Sequence, residues 1–133
     1  MVSCLHSSFP LRPPMRIVLA DQRSSARSAL RMLVRAQEDL DLVAEAANAE
    51  ELFAAVADSS PDLAVFDFDD FDLSATDVLA KLRKILPSMA IVGMSIHAEN
   101  RQVACSAGAN SFVYKGDPPE CLLNAVRGCK KPK

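Results

Sequence analysis

Four short apolar runs in this chain each stop abruptly at a polar residue. The runs are IVLA before Asp21, LAVF before Asp67, AIVGM before Ser95 and FVY before Lys115. Strands buried on both faces of a parallel sheet read as such continuous apolar runs, and stretches with helical spacing lie between them. Functional groups of these sheets lie at the carboxyl ends of the strands. The pattern therefore brings two carboxylates, a hydroxyl and an ammonium to one edge, which suits a metal ion and a phosphoryl group.

The segments around these runs predict strands and helices in strict alternation. Residues 42–44 supply the remaining strand, which partners the first. Helix-capping residues and prolines mark the helix starts. The five predicted helices cover about residues 24–36, a segment capped by Asn48, a segment capped by Ser74, about residues 101–107, and a segment begun by Pro118 and Pro119. Right-handed crossovers then give an α/β, doubly wound (βα)5 three-layer sandwich.

Composition is that of one ordinary globular domain. Of its residues, 50% are hydrophobic and 24% are charged, as in ordinary soluble proteins. A chain of 133 residues is long enough to bury a hydrophobic core. The formal net charge of -2 predicts neither nucleic-acid nor membrane binding, and no apolar run is long enough for a membrane span. We expect residues 1–14 to form a flexible leader, residues 15–128 the folded domain, and residues 129–133 a basic tail or a truncated linker.

The cysteines show no metal-binding pattern. No C-x-x-C pair occurs, and neither histidine lies near a cysteine pair, so a zinc site is not predicted. We interpret Cys4, Cys105, Cys121 and Cys129 as reduced thiols in a cytosolic protein. Cys105 and Cys121 are expected on apolar helix faces.

The segment that begins at Asp67 is unusually acidic. Five carboxylates fall within eleven positions, at Asp67, Asp69, Asp70, Asp72 and Asp77. Such a loop repels itself unless solvent or a cation screens the charge. Mg2+ binds one or two carboxylates together with phosphate oxygens and waters, so it suits this segment. Taken alone, the segment is equally well explained as a solvated acidic turn.

Asp21 favours the metal interpretation, since it ends the neighbouring strand and its carboxylate can reach the same ion. A carboxylate can also act as a nucleophile toward phosphorus, which gives an aspartyl phosphate. Ser95 could hydrogen-bond a phosphoryl oxygen, and Lys115 could neutralise it. Individually, Ser95 reads as a strand-end cap and Lys115 as a solvated lysine. Four matching strand ends in order favour a phosphoryl site.

With these residues, the chain resembles the receiver domain of bacterial two-component response regulators. The intervals are 46 residues from Asp21 to Asp67, 28 from Asp67 to Ser95, and 20 from Ser95 to Lys115. The strings IVLAD, PDLAVFD, AGA and SFVYK also match, over about residues 16–127. The EAAN run at residues 45–48 is similar to receivers that precede LuxR-type helix-turn-helix domains. The resemblance implies a flavodoxin-like fold with parallel strand order 2-1-3-4-5, and residues 15–128 as the receiver domain.

The resemblance also implies a phosphoryl and metal site. Asp67 would be the phosphoacceptor, and Mg2+ would bind Asp21, Asp67 and the backbone carbonyl of Asp69. Gln22 stands where receivers usually carry a second acid. An amide offers only a neutral carbonyl ligand, so weaker Mg2+ binding is expected. The domain would be no enzyme beyond phosphoryl transfer to its own Asp67 and later hydrolysis.

A switch and a set of partners follow from the same resemblance. Ser95 would move toward the phosphoryl group, Lys115 would pair with it, and the rotamer of Phe112 would report the change. The partners would be a sensor histidine kinase or phosphotransfer protein in the cytoplasm, and a second copy of the chain as a homodimer. DNA would be bound only through an output domain absent from this chain, and no membrane would be involved.

The first predicted helix carries a regular series of arginines. Arg23, Arg27 and Arg31 recur every four residues, and Arg35 continues the series. Like charges at this spacing repel one another. They form either a solvated face, as charged helix positions usually do, or a docking stripe for an acidic partner. In receivers this helix borders the phosphorylation site, where kinases approach.

Two other functions stay open at this point. A degenerate pseudo-receiver, which binds partners without phosphate chemistry, is favoured by Gln22 and by the short segment 95–108. Phe71 and Ala75 also stand where receivers usually hold a proline and a glycine. Asp67-Phe68-Asp69 imitates the D-x-D motif of haloacid-dehalogenase-like phosphatases. That motif normally opens its domain and needs more chain behind it.

Overall fold

Five parallel strands form the central sheet of this protein, in a computed structural model that describes residues 13–69 and 73–129. The strands are β1 Met15–Ala20, β2 Leu40–Ala46, β3 Leu63–Asp67, β4 Ala90–Ser95 and β5 Ser111–Tyr114. The helices between and after them are α1 Ser24–Arg35, α2 Ala49–Ser59, α3 Ala75–Ile85, α4 Asn100–Ser106 and α5 Pro119–Gly128. The strand order is β2-β1-β3-β4-β5, which confirms the predicted doubly wound, flavodoxin-like sandwich.

Several predictions about chain segments fall on residues that the structure leaves undescribed. These are most of the leader (1–12), the acidic-loop residues Asp70, Phe71 and Asp72, and the end of the basic tail (130–133). Within the described ranges, no helix combines the length and the apolar character needed to cross a bilayer.

Two apolar cores sandwich the sheet, one on each face. Along β1, Ile17 and Leu19 pack into the core under α1 and α5, whereas Val18 and Ala20 pack into the core under α2 and α3. Successive side chains of a strand point to opposite faces, so both faces of β1 must be apolar. This explains why the runs that end at Asp21, Asp67, Ser95 and Lys115 are unbroken apolar segments, whereas the edge strand β2 also carries Asp41 and Glu45.

The helix starts follow their capping residues. The side-chain oxygen of Asn48 accepts a hydrogen bond from the amide of Glu51 at 2.8 Å, and that of Ser74 accepts one from the amide of Asp77 at 3.2 Å. Both predicted caps are therefore confirmed. Pro118 precedes the first residue of α5, as expected for a helix begun by prolines.

One prediction about the cysteines is wrong. Cys105 is exposed, because α4 is a short helix whose buried residue is its neighbour Ala104. Cys121 packs against the core beneath α1 and α5, as expected. Cys4 lies outside the described residues.

Arg83 ties the end of α3 to two neighbouring loops. Its guanidinium donates to the carbonyl oxygens of Met89 and Gly108, and to the side-chain oxygen of Asn110 at 2.8 Å. The same Asn110 oxygen accepts from the amide of Ile91 at 2.8 Å, at the start of β4. The guanidinium thus fixes the edge of the sheet opposite to the strand ends that carry polar groups.

We expect Arg83→Ala to lower the free energy of unfolding by about 2 kcal/mol, since hydrogen bonds from a charged donor contribute about 1.5–3 kcal/mol and these loops are partly hydrated. Urea denaturation measures the change. Lys84→Ala, at the exposed neighbouring position, is the matched control and should stay within about 0.5 kcal/mol of the parent. Equal effects of the two substitutions would show that Arg83 does not clamp these loops.

Candidate functional site

Asp21 and Asp67 leave adjacent strands at the same level of the sheet. Ala20 of β1 is the parallel partner of Phe66 of β3, so the residue that follows each of them lies at the same edge. The two carboxylic acids are almost completely buried, with exposed fractions of 0% for Asp21 and 2% for Asp67. The structure therefore brings together the two acids that the sequence placed at neighbouring strand ends.

Each acid also anchors the loop that follows its strand. One carboxylate oxygen of Asp21 accepts from the amide of Arg23 at 2.9 Å, and one of Asp67 accepts from the amide of Asp69 at 3.0 Å. An aspartate that binds the amide two residues ahead stabilises a local turn. These turns fix the side-chain direction of both acids before any ligand arrives.

Lys115 joins the two acids. Its Nζ lies 3.3 Å from Asp21 Oδ2 and 3.1 Å from Asp67 Oδ1. Its backbone amide donates to the carbonyl of Ser95 at 2.8 Å, which holds the residue against the end of β4. The predicted ammonium therefore stands between the predicted carboxylates, and the side chain is mostly buried rather than solvated.

Asp67 combines burial with an oxygen that has no partner. Burial raises the pKa of its carboxyl to about 6, although the Asp69 amide and the Lys115 ammonium oppose the rise. The negative charge of Asp21 raises this pKa further. Asp67 Oδ2 is buried and makes no hydrogen bond. A buried acceptor without a partner is rare and costly, so this atom is the one suited to an incoming metal ion or phosphorus centre.

Ser95 is also buried at the same edge, and its hydroxyl is directed at Asp69. Ser95 Oγ donates to Asp69 Oδ1 at 2.8 Å, and it accepts from the amide of His97 at 2.8 Å and from the side-chain amide of Asn100 at 3.0 Å. The second oxygen of Asp69 accepts from the amide of Ile96 at 2.8 Å. The sequence predicted a role for Asp69 only through its backbone carbonyl, as a ligand of Mg2+. It did not predict the hydrogen bonds that the Asp69 carboxylate accepts from Ser95 and Ile96.

Phe68 is a second residue that sequence reasoning missed. Its ring packs so closely on Gly93 that a Cβ at position 93 would lie 2.6 Å from the ring. Its amide donates to the carbonyl of Met94 at 2.7 Å. These contacts hold the chain after Asp67 against β4, beside Ser95. A glycine inside the apolar run AIVGM was the available signal, since glycine in a strand often marks a close approach.

Phe112 is buried next to an arginine of α4. Its exposed fraction is 5%, and the guanidinium of Arg101 lies 5.1 Å from the centre of its ring. A cation over an aromatic face at this distance is attracted by the ring. Arg101 therefore covers the side chain proposed as a reporter of the switch.

The arginines at and near the start of α1 differ in their exposure and in the groups that they bind. Arg31 holds both carboxylate oxygens of Glu45, at 2.6 and 2.9 Å, and this pairing lowers the pKa of Glu45. Arg27 donates to the carbonyl of Asp21 at 2.8 Å. Arg23 is exposed and lies directly before the first residue of the helix. Arg27 and Arg31 thus bind groups of their own chain, and a role of these arginines in docking stays a prediction.

Mg2+ would meet two carboxylates at this edge. No group of three or more histidine, cysteine, aspartate or glutamate residues that could hold a metal occurs within 13–69 and 73–129. Gln22 is exposed beside Asp21, and Asp77 lies in the first turn of α3. A site with two carboxylates, one of which has an unpartnered oxygen, fits an ion that completes its shell with phosphate oxygens and waters.

Comparison with known proteins identifies the family of this chain. The profile of the response regulator receiver domain family matches residues 17–127. The nitrate/nitrite response regulator protein NarL of Escherichia coli K12 is 30% identical over 115 residues, which are 85% of this chain and 53% of NarL. The uncharacterized transcriptional regulatory protein YhcZ of Bacillus subtilis is 28% identical over 111 residues, 82% of this chain and 52% of YhcZ. The chain spans about half the length of these curated relatives.

Solved structures of the same kind share the fold. A two-component response regulator of the LuxR family from Aurantimonas sp. SI85-9A1 has a TM-score of 0.80 at 26% identity, over 86% of this chain and 84% of that one. The signal receiver domain of the putative response regulator NarL from Mycobacterium tuberculosis also has a TM-score of 0.80, at 21% identity. This match covers 89% of this chain and 97% of that one. The suspected resemblance is confirmed, and this chain belongs to the response regulator receiver domain family.

Proposed function

We propose that this chain is the phosphoaccepting receiver of a LuxR-type transcription regulator, with Asp67 as the phosphoacceptor. The observation that supports the proposal most directly is the buried, unpartnered Oδ2 of Asp67 beside the ammonium of Lys115. One oxygen of the carboxylate is fixed by the Asp69 amide and by Lys115, while the other is free to form a bond. A carboxylate oxygen without a hydrogen bond is available to act as a nucleophile.

In the proposed reaction, the ionised Oδ2 of Asp67 attacks the phosphorus of a phosphodonor. The new bond joins Oδ2 to phosphorus, and the bond from phosphorus to the donor breaks, so the donor group leaves with the electron pair. Lys115, which already lies 3.1 Å from Oδ1, can then pair with the phosphoryl oxygens. Fixed positive charge at the place where negative charge develops is the main way proteins assist phosphoryl transfer.

Mg2+ would be held by the carboxylates of Asp21 and Asp67 and by the backbone carbonyl of Asp69. When bound, it would supply positive charge to the phosphoryl oxygens. Asp21 is buried and points one oxygen at Lys115, so the ion would share this acid with the lysine. Gln22 adds no negative charge to the site, which favours weak binding of the ion.

The switch would involve Ser95, which would have to turn its hydroxyl from Asp69 toward the phosphoryl group. Phe112 lies one strand further along the sheet, next to Arg101. A movement at the end of β4 can reach it because Gly93 of β4 is the register partner of Phe112 in β5. The state of the phosphoacceptor would thereby be communicated to the surface around α4.

A sensor histidine kinase or phosphotransfer protein would be the phosphodonor, and DNA would be bound through an output domain. We place docking at the start of α1, around Arg23, Arg27 and Arg31, because Arg23 is exposed next to Asp21 and Arg27 binds the carbonyl of Asp21. Pairing of two receivers would add a second interface.

The proposal is tested by incubating the protein with acetyl phosphate and Mg2+ and measuring its intact mass. We expect one added phosphoryl group that hydroxylamine removes, and we expect none for Asp67→Asn. Asp58→Asn is the matched control, because Asp58 is exposed near the end of α2, which is far from the strand ends that form the site. It should accept the phosphoryl group as the parent does.

Three outcomes would overturn this proposal in different ways. An unmodified parent protein, tested over a range of Mg2+ and phosphodonor concentrations, would favour the pseudo-receiver that acts by contact alone. Turnover of a free phosphomonoester that depends on Asp67 would instead favour the phosphatase. Phosphoryl incorporation that persists in Asp67→Asn would place the acceptor elsewhere.

A further inference from the structure

The carboxylate of Asp69 uses both of its oxygens at the end of β4. Asp69 Oδ1 accepts the hydroxyl proton of Ser95 at 2.8 Å, and Asp69 Oδ2 accepts the amide of Ile96 at 2.8 Å. A carboxylate that binds two donors of the same strand end is fixed in position by both. Hydrogen bonds to a charged acceptor are also stronger than bonds between neutral groups.

These bonds direct the hydroxyl of Ser95 away from Asp67. A serine hydroxyl has one proton, and in this structure the proton goes to Asp69. The lone pairs of Ser95 Oγ are used by the amide of His97 and by the side chain of Asn100. The buried Oδ2 of Asp67 meanwhile has no partner at all. The hydroxyl is therefore engaged by the neighbouring acid, while the Oδ2 atom of Asp67 lacks a hydrogen bond.

A phosphoryl group on Asp67 would compete with Asp69 for this hydroxyl. The phosphoryl group carries nearly two negative charges and three acceptor oxygens. Asp69 lies only two residues from Asp67, and its position is fixed by the packing of Phe68 on Gly93. Its carboxylate would repel the new charge as well as hold the proton that the phosphoryl oxygen needs.

We propose that the Asp69 carboxylate is a latch, which holds Ser95 in the resting position and opposes activation. This inference rests on the proposed function, because it concerns the response of Ser95 to a phosphoryl group on Asp67. Asp69 is a positioning residue here, since it acts through Ser95. Its backbone carbonyl would remain available to Mg2+ when the side chain is changed.

The test compares the parent with Asp69→Ala and Asp69→Asn, using beryllofluoride with Mg2+ as the phosphoryl mimic and NMR of the Lys115 amide as the readout. Asp69→Ala should reduce the half-saturating concentration of beryllofluoride about tenfold, the factor that one charge-assisted hydrogen bond represents. Asp69→Asn keeps one acceptor oxygen and loses the other. Its half-saturating concentration should therefore fall between those of the parent and Asp69→Ala. Asp58→Ala, which removes an exposed carboxylate remote from the site, should leave the parent value unchanged.

A second measurement needs no ligand. In the free protein, hydrogen exchange of the Ile96 amide should become at least about tenfold faster in Asp69→Ala, because the amide loses its acceptor. This result also checks that the variant is folded, through unchanged exchange of amides within β1 and β3. An unchanged Ile96 exchange rate would overturn the latch, since the carboxylate would then not hold this strand end.

The outcomes separate the latch from the function on which it rests. Equal half-saturating concentrations for the parent and Asp69→Ala would overturn the latch alone. A response in Asp69→Ala with none in the parent would support the latch strongly. Absence of any response in all four proteins would overturn the proposed function, and the latch would fall with it.

Discussion

Replacing Lys115 with methionine should lower the free energy of unfolding by about 3–5 kcal/mol at neutral pH, the range found when one partner of a buried ion pair is removed. Lys115 lies within 3.3 Å of the carboxylates of both Asp21 and Asp67. Both acids are at most 2% exposed. Methionine keeps much of the apolar stem but removes the ammonium, so two buried carboxylates would face each other without compensation.

The second acid allows this interpretation to be checked by a double-mutant cycle. In an Asp67→Asn background, only Asp21 still needs the ammonium, so Lys115→Met should cost clearly less than in the parent. Lys84→Met, on the exposed surface of α3, is the control for the loss of a lysine. Urea denaturation in the presence of a chelator measures all of these differences. Additive effects of Lys115→Met and Asp67→Asn would show that the two side chains do not interact.

Mg2+ provides an independent readout of the same electrostatics. A divalent cation that binds the folded acids stabilises the protein by mass action. The stability gained on adding Mg2+ should be larger in Lys115→Met than in the parent, because the ion no longer competes with the ammonium for Asp21 and Asp67. A gain of the same size in both proteins would place the ion away from these acids.

The arrangement of the sheet could be predicted because burial on both faces leaves a simple pattern in the sequence. In β1 the successive residues Ile17 and Val18 enter different cores, so each must be apolar, and Asp21 marks the place where the strand ends. The rule that parallel strands present their carboxyl ends together then placed Asp21 beside Asp67. The burial of whole strands and their parallel order were therefore sufficient to predict that Asp21 and Asp67 lie close together.

The contacts of individual side chains could not be predicted in the same way. Asp69 binds Ser95 in the loop where the neighbouring Phe68 packs on Gly93 of β4. This packing depends on the path of the loop that follows β3, which composition and periodicity do not encode. Cys105 was misplaced for a related reason, since α4 is a short helix and helical periodicity says little about which of its faces is buried.

The arginines of α1 show a further limit of sequence patterns. A spacing of four residues predicts a common helix face, but the partner of Arg31 is Glu45 on β2, fourteen residues away. Charge repulsion along the helix is reduced because this glutamate is also 3.5 Å from Arg27. The regular series therefore reflects, in part, ion pairing with a neighbouring strand. Only the three-dimensional arrangement reveals this pairing, and a role of the arginines in docking stays a prediction.

Replacing Asp67 with asparagine should have the opposite effect to the lysine substitution and should stabilise the protein. Burial raises the pKa of Asp67 from 3.8 to about 6. Between these values the folded state binds more protons than the unfolded state, so the stability of the parent falls as the pH rises through this range. At neutral pH the buried charge therefore lowers the free energy of unfolding by about 3 kcal/mol.

Asparagine carries no charge at any pH, so Asp67→Asn should lack this loss. We expect it to be about 2–3 kcal/mol more stable than the parent at neutral pH, a gain that shrinks toward pH 4, where the parent carboxyl is protonated as well. Its side-chain oxygen can still accept from the Asp69 amide, and Lys115 keeps Asp21 as a partner. Urea denaturation at several pH values, with a chelator present, measures the difference. A gain that did not change between pH 4 and neutral pH would show that the buried charge of Asp67 is not its cause.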